Sequence, residues 1–336
     1  MSNFNLKVQV EHRSNRLERL AEPVKQDLER TETFMAELLS STHPFLSSLT
    51  GHLERFRGKR LRPVLLHLSA RAFGGEAPLA AEVAAVIELI HLATLCHDDV
   101  LDVAETRRSV PTVNARWGNR AAILTGDLLF SRALERLGRF DDSRPYRILS
   151  RTARLVCEGE LLQIGARFNA GLTEEDYFDL IVKKTAVLFG AATQLGALLA
   201  GASEDDGRRM EAFGRGLGVA YQIVDDCMDL TGVEETAGKS LGSDLRNGEL
   251  TLPVIHLLSA AGPGLREELL REFRPGGAAF DRKTLQAHLL RCGSIEYALQ
   301  IARRDLQRAC ESLNSLPPSA AKNAMLSFRD YVVERI

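Results

Sequence analysis

Between Pro145 and Pro253 the chain contains no proline, and that interval constrains the fold more than any other feature. Proline breaks the hydrogen-bond ladder of a helix interior, so a proline-free stretch rich in Leu, Ala, Val and charged residues at helical spacing predicts long helices. Segments 81–96, 121–138, 147–162, 174–200 and 208–230 all exceed ordinary strand length and lack sustained alternation. The expected fold class is therefore all-α, with strand content close to nil. Helix ends are marked by Gly74-Gly75 before Pro78, Gly171 before Thr173, Gly201 before Ser203, and Pro317-Pro318. Thr173-x-x-Asp176 and Ser203-x-x-Asp206 have the spacing of reciprocal caps, with Asp in the usual Glu or Gln position. The glycine-rich stretches 232–249 and 262–277 are expected to be loops. Neither divides the composition, so residues 1–336 are expected to form a single domain, with 1–40 as an N-terminal helical lead-in.

Charge narrows the function. The formal net charge is −2 in 336 residues, which excludes a general nucleic-acid binder, since such affinity requires a basic excess. Cys96, Cys157, Cys227, Cys292 and Cys310 show no C-x-x-C spacing, so reduced thiols and a cytoplasmic location are expected rather than disulfides or a zinc site. The first thirty residues mix charges and offer no apolar signal-peptide core. The apolar stretches near 80–95 and 187–200 are interrupted by Glu82, Glu88 and Gln194 and are expected to fall short of a membrane span.

The strongest motif is Asp98-Asp99-x-x-Asp102, repeated 127 positions later as Asp225-Asp226-x-x-Asp229. First and third carboxylates are four apart, so at least two in each triplet point from one helical stripe and repel one another. Both triplets follow apolar runs, Leu92–Cys96 and Val219–Val224, where a solvated acidic face is not expected. Asp141-Asp142 and Asp205-Asp206 lack the third Asp and read as ordinary surface charge. Hard oxygen ligands without His or Cys partners favour Mg²⁺, which shares its shell with substrate phosphates.

Short basic runs accompany the triplets: Arg57 to Arg62, Arg107-Arg108, Lys183-Lys184 and Gly238-Lys239-Ser240. Alone each would be ordinary surface charge; beside two metal-binding triplets they suit a diphosphate, which needs cationic clamps as well as metal. His91 lies two turns before Asp98, and Gln222 lies three residues before Asp225. Either could serve only packing or an interhelical hydrogen bond.

With these residues in hand, the sequence resembles the trans-polyprenyl diphosphate synthase family, most closely its medium- and long-chain members. The matching stretches, in family order, are Gly58–Pro63, His91–Asp102, Arg107-Arg108, Gly126-Asp127, Lys184–Ala186, Tyr221–Asp226 and Gly238–Leu245, over roughly residues 40 to 335. The resemblance implies an isoprenoid-synthase-type helical bundle around a deep central cavity, usually a homodimer. It joins isopentenyl diphosphate to an allylic diphosphate, and the product serves quinone side chains. It further implies that Asp98, Asp102 and Asp225 hold Mg²⁺ and that Arg107, Lys184 and Lys239 clamp the allylic diphosphate. By the same resemblance, Lys59, Arg62, His91 and Arg108 bind isopentenyl diphosphate, while Thr185 and Gln222 lie near the nascent allylic cation.

One position departs from the pattern. Shorter-chain members commonly carry a second lysine where this chain has Glu249, so that contact is lost or supplied elsewhere. The residues that set cavity depth in the family are here Ala93 and Thr94, both small, which implies a product longer than farnesyl, in the hexaprenyl to decaprenyl range, with Ile90, Phe130 or Leu134 as the floor. Alternatives are a geranylgeranyl or farnesyl diphosphate synthase, a class I terpene cyclase, and a non-catalytic subunit of a heteromeric synthase. Retention of all six Asp speaks against the last. A lipid product also implies peripheral membrane contact for release, although no amphipathic basic helix declares itself.

Overall fold

The structure, a computed structural model, describes residues 16–56, 58–74, 77–232, 242–275 and 281–335. Helices α1 (Lys25–Leu39), α2 (Pro44–Leu53), α3 (Leu61–Ala72) and α4 (Ala80–Leu101) lead to a small antiparallel hairpin of β1 (Thr106–Arg107) and β2 (Val110–Pro111). They are followed by α5 (Val113–Trp117), α6 (Asn119–Leu137), α7 (Arg144–Ala166), α8 (Glu174–Ile181), α9 (Val187–Leu199) and α10 (Glu204–Thr231). The C-terminal part comprises α11 (Ser243–Arg246), α12 (Leu252–Ala260), α13 (Pro263–Glu272), α14 (Arg282–Arg291), α15 (Ser294–Glu311) and α16 (Ala320–Val333). The all-α expectation holds. The Thr173–Asp176 cap is reciprocal, with the Thr173 hydroxyl accepting from the Asp176 N–H and the Asp176 carboxylate from the Thr173 N–H, whereas at the second site the Ser203 hydroxyl accepts from the Asp206 N–H and donates to the Asp206 carboxylate. All five cysteines are free.

Three expectations change. Stretch 262–277 is not a loop throughout, because Pro263 sits in the first helical turn and Leu269 of α13 is buried. Segment 174–200 is not one continuous α-helix: Val182–Ala186 form a π-helical turn between α8 and α9. Finally, α4 continues six residues past Leu95 and is, by length and mean hydropathy (1.5), long and apolar enough to cross a membrane. It is instead a core helix here, with 72% of its most apolar window buried within the fold. Its acidic interruptions are paired, Glu82 with Arg136 and Glu88 with Arg60.

Two apolar clusters share α9. Phe189 and Ala197 pack with α3, α10, α12, α15 and α16, whereas Leu188, Ala192 and Leu195 pack with α4 and α6. Close helix approach around the π turn depends on glycine. A Cβ at Gly159 of α7 would lie 2.8 Å from the Lys184 backbone nitrogen, and one at Gly218 of α10 would lie 2.7 Å from the Ala186 Cα. The turn is therefore gripped between two helices at positions where no side chain intervenes.

Candidate functional site

The π turn carries Lys184 and Thr185, and its extra residue per turn re-aims side chains that a regular helix would place elsewhere. Lys183 pairs with Asp179 on the surface, while the Lys184 ammonium lies 2.9 Å from Glu160 of α7. Burial works against that ammonium, but Glu160 and then Asp98 overcome it and hold its pKa above the ordinary lysine value. The converse holds at Asp98, whose carboxyl is pushed up to about 7, first by burial and then by Glu160. The two acids share one lysine, so this end of the site carries surplus negative charge.

The second triplet lies in α10. Buried Asp226 accepts from the Tyr177 hydroxyl at 2.6 Å and from Gln222 Nε2 at 2.7 Å, and Gln222 Oε1 accepts from the Thr185 hydroxyl at 2.8 Å. Asp102, Lys184, Thr185, Gln222, Asp226, Asp244 and Glu249 together line a cavity of about 120 Å³. A larger hollow of about 340 Å³, lined by Asp27, Arg30, Phe34 and His67, contains none of the residues singled out in the sequence.

The hairpin after α4 places the basic residues. Its two-residue turn, Arg108-Ser109, has positive φ at both positions, the geometry of a tight primed turn, here without glycine. Arg107 folds back onto Asp99, with Nε and Nη2 each 2.8 Å from Oδ1. The Arg108 guanidinium reaches the Phe56 carbonyl and passes so close to Gly58 that a Cβ there would sit 2.7 Å from it. Arg62 stacks 4.7 Å over Phe189, and its buried Nε has no hydrogen-bond partner among the described residues. His91 lies within this cluster: burial first, then Arg62, Arg108, Arg107 and Arg60, hold its pKa well below the ordinary value, so the imidazole is neutral. A buried, unpartnered guanidinium nitrogen in a positive field is the mark of an anion pocket. Lys59 joins from one side, 5.7 Å over the Tyr331 ring.

Several singled-out residues stand apart. Asp225 does not line the cavity and is paired with Arg335, which also stacks 4.0 Å over Tyr221. Asp102 is the C-cap of α4 rather than part of its last turn. Among the described residues, no three carboxylate, histidine or cysteine side chains converge as a ready-made cation site. The acids repel and each is drawn to its own cation, Asp225 to Arg335 and Asp102 towards Arg167 at 3.6 Å. The donor set still fits a hard divalent cation, since Asp98 and Asp102 are hard oxygen donors one turn apart, and Asp98 is raised by burial and then by Glu160. Ala93 is buried against the α4–α6 cluster, and the half-buried Thr94 bonds the His91 carbonyl at 2.8 Å; neither lines the cavity. Lys239 lies outside the described residues. Glu160, Arg167, Tyr177 and Arg335 were not foreseen, because each acts across 24 or more residues of sequence with no local motif to announce it.

Comparison with known proteins agrees with this architecture. The family profile described as Polyprenyl synthetase matches residues 43–284. The octaprenyl diphosphate synthase of Escherichia coli is 33% identical over 319 residues, covering 95% of this chain and 99% of that one. A short chain isoprenyl diphosphate synthase of Methanothermobacter thermautotrophicus is 39% identical (84% and 88% covered), and heptaprenyl diphosphate synthase component 2 of Bacillus subtilis is 35% identical (93% and 89% covered). The crystal structure of a polyprenyl synthase from Caulobacter crescentus, complexed with calcium and isoprenyl diphosphate, superposes with a TM-score of 0.90 at 30% identity, covering 95% and 98%. The fold is that of the polyprenyl synthases, and the relatives make the protein a prenyltransferase. This chain belongs to the polyprenyl synthetase family.

Proposed function

We propose that the chain is a Mg²⁺-dependent trans-polyprenyl diphosphate synthase. It condenses isopentenyl diphosphate head-to-tail with an allylic diphosphate to give a hexaprenyl- to decaprenyl-length product for quinone side chains. The observation that carries this reading is the separation of two anion sites: the acid-and-lysine cavity around Lys184, and the arginine cluster around His91. A reaction between two diphosphates needs both.

Ionisation of the allylic C–O bond leaves its charge on the departing diphosphate. Lys184, Arg107 and Lys239 would bind those oxygens, while Asp98, Asp102 and Asp225 would hold Mg²⁺, which when bound neutralises diphosphate charge. Lys184 stays protonated throughout, because Glu160 and Asp98 raise its pKa. The Thr185–Gln222 pair, oriented by Asp226, presents oxygen dipoles to the allylic cation. Arg62, Arg108, Lys59 and neutral His91 hold isopentenyl diphosphate so that its double bond attacks that cation. A proton then passes to the released diphosphate. No nucleophilic side chain is required.

The enzyme would act as a cytoplasmic homodimer, through exposed apolar residues such as Ile123 and Leu124 of α6 and Leu161 of α7, with peripheral membrane contact at product release. A second reading, a subunit needing a different partner chain, is favoured by the likeness to a protein named as component 2. Purified protein incubated with Mg²⁺, labelled isopentenyl diphosphate and farnesyl diphosphate should yield a ladder ending in one long species, and chelation with EDTA should abolish it. A folded dimer that elongates no allylic primer would overturn the proposal in favour of the partner-dependent reading.

A further inference from the structure

Glu249 lies on the cavity wall with Asp102, Asp226 and Asp244, and Lys184, the one lysine on that wall among the described residues, is already engaged by Glu160. Among the described residues that line it, this wall carries four carboxylates and one ammonium. Arg167, which caps the C-terminus of α7, changes this. Its Nε and Nη2 donate to Glu249 Oε1 at 3.1 and 2.9 Å, and the same Nη2 lies 3.6 Å from Asp102 Oδ1. A guanidinium has five N–H donors, and Glu249 engages only two of them.

The position of Arg167 is built in. The next residue, Phe168, adopts a positive φ of 57°, unusual for a side chain of that size, and its N–H donates to the Gly248 carbonyl at 2.7 Å. The Phe168 ring packs against Gly248, where a Cβ would sit 2.6 Å from it, and lies tilted at 41° to Phe273 with ring centroids 5.6 Å apart. Gly248 itself has a φ of +78°. Backbone bond, ring and glycine thus staple the end of α7 to the turn that carries Glu249, although 82 residues separate the paired side chains.

We propose that Arg167, aimed by Glu249, is a substrate-binding residue that contacts the allylic diphosphate beside Asp102. It supplies the cation that position 249 does not. Glu249, which lines the cavity, is a positioning residue whose carboxylate fixes the plane of the guanidinium and holds its Nη2 3.6 Å from Asp102 Oδ1. This inference rests on the synthase reading above.

The test uses the full chain and compares the wild type with Arg167→Gln and with the double variant Arg167→Gln/Glu249→Lys, which returns a cation to the same wall from the opposite side. Loss of a charge-assisted contact should raise KM for farnesyl diphosphate by about tenfold to a hundredfold in Arg167→Gln, while KM for isopentenyl diphosphate changes by less than about twofold. The double variant should recover to within about fivefold of the wild type. An unchanged allylic KM in Arg167→Gln overturns the inference, and so does an equal loss for both substrates that the double variant fails to rescue, because that is the signature of a merely structural pair. Wild-type protein without elongation activity would count against the synthase reading itself. Calorimetry with inorganic pyrophosphate and Mg²⁺ would still decide the role of Arg167: binding weakened about tenfold in Arg167→Gln supports it, and equal binding overturns it.

Discussion

At the level of single side chains, the chemistry depends on partners that no motif reveals. Thr185 and Gln222 can be picked out as polar groups in apolar helices, but their orientation comes from Asp226, which is itself fixed by the Tyr177 hydroxyl. Replacing Gln222 with Leu leaves Thr185 without its acceptor and removes the amide donor from the buried Asp226 carboxylate. We expect kcat to fall by about a hundredfold with the allylic KM little changed, by analogy with removal of one preorganised dipole, and stability to drop by about 1–3 kcal/mol. Steady-state kinetics and urea unfolding of the same variant check both; an intact kcat would show that the pair does not face the reacting centre. The residue types of the site were legible in the sequence because the acidic triplets and basic runs are local patterns. The pairing was not: Lys184 with Glu160 and Asp225 with Arg335 are contacts between distant segments, and composition near either partner gives no hint of the other.

At the level of helices, periodicity exposed the long elements but missed the π turn, since one extra residue between two helices barely disturbs a 3.6-residue pattern. That turn is gripped by Gly159 and Gly218, and Gly218→Ala would drive a methyl to within 2.7 Å of the Ala186 Cα. The expected cost is about 1–3 kcal/mol of stability, together with reduced activity from displacement of Lys184 and Thr185. Thermal unfolding reads the first and turnover the second; a variant as stable and as active as the wild type would show that the helices have room to spare. The contact of α1 with α3 has a different sensitivity. Buried His67 bonds the Thr31 hydroxyl at 2.8 Å, and its pKa is lowered to about 4, by burial first and then by Arg71 against the opposing pull of Asp27. Its folded pKa lies below the unfolded value of about 6.5, so the unfolded chain takes up the proton first. The neutral imidazole therefore costs nothing above about pH 6.5, and stability falls by up to roughly 3 kcal/mol as pH drops towards 4. His67→Asn, which keeps a polar group for Thr31, should lose less stability than the wild type between pH 7.5 and 4.5. Parallel denaturation curves for the two proteins would contradict this.

At the level of the whole molecule, the question is where a long hydrocarbon product would go. The cavity holds about 120 Å³, well below the roughly 300–1,000 Å³ usual for drug-sized ligands, and a polyprenyl tail is larger still. If Ala93 marks the path of the tail, the space comes from the packing of α4 against α6, where Ala93 shares a cluster with Ala122, Leu129 and Ala133 and with the partly buried Phe130. Small side chains along this seam leave little to displace, and α9, which joins both clusters, can hold the remaining core while the seam opens. All-α architecture and the position of the acidic ends follow from the sequence pattern. The closed seam does not, because helical periodicity identifies a buried face without saying how tightly two such faces meet. Ala93→Phe should therefore shorten the product, because the ring would occupy the path of the growing tail. The inserted volume should also cost about 1–3 kcal/mol through overpacking. Chromatographic sizing of the extracted products, alongside circular dichroism to establish that the variant remains folded, separates the two effects. A folded variant whose product is as long as that of the wild type would place the tail along another path, away from the α4–α6 seam.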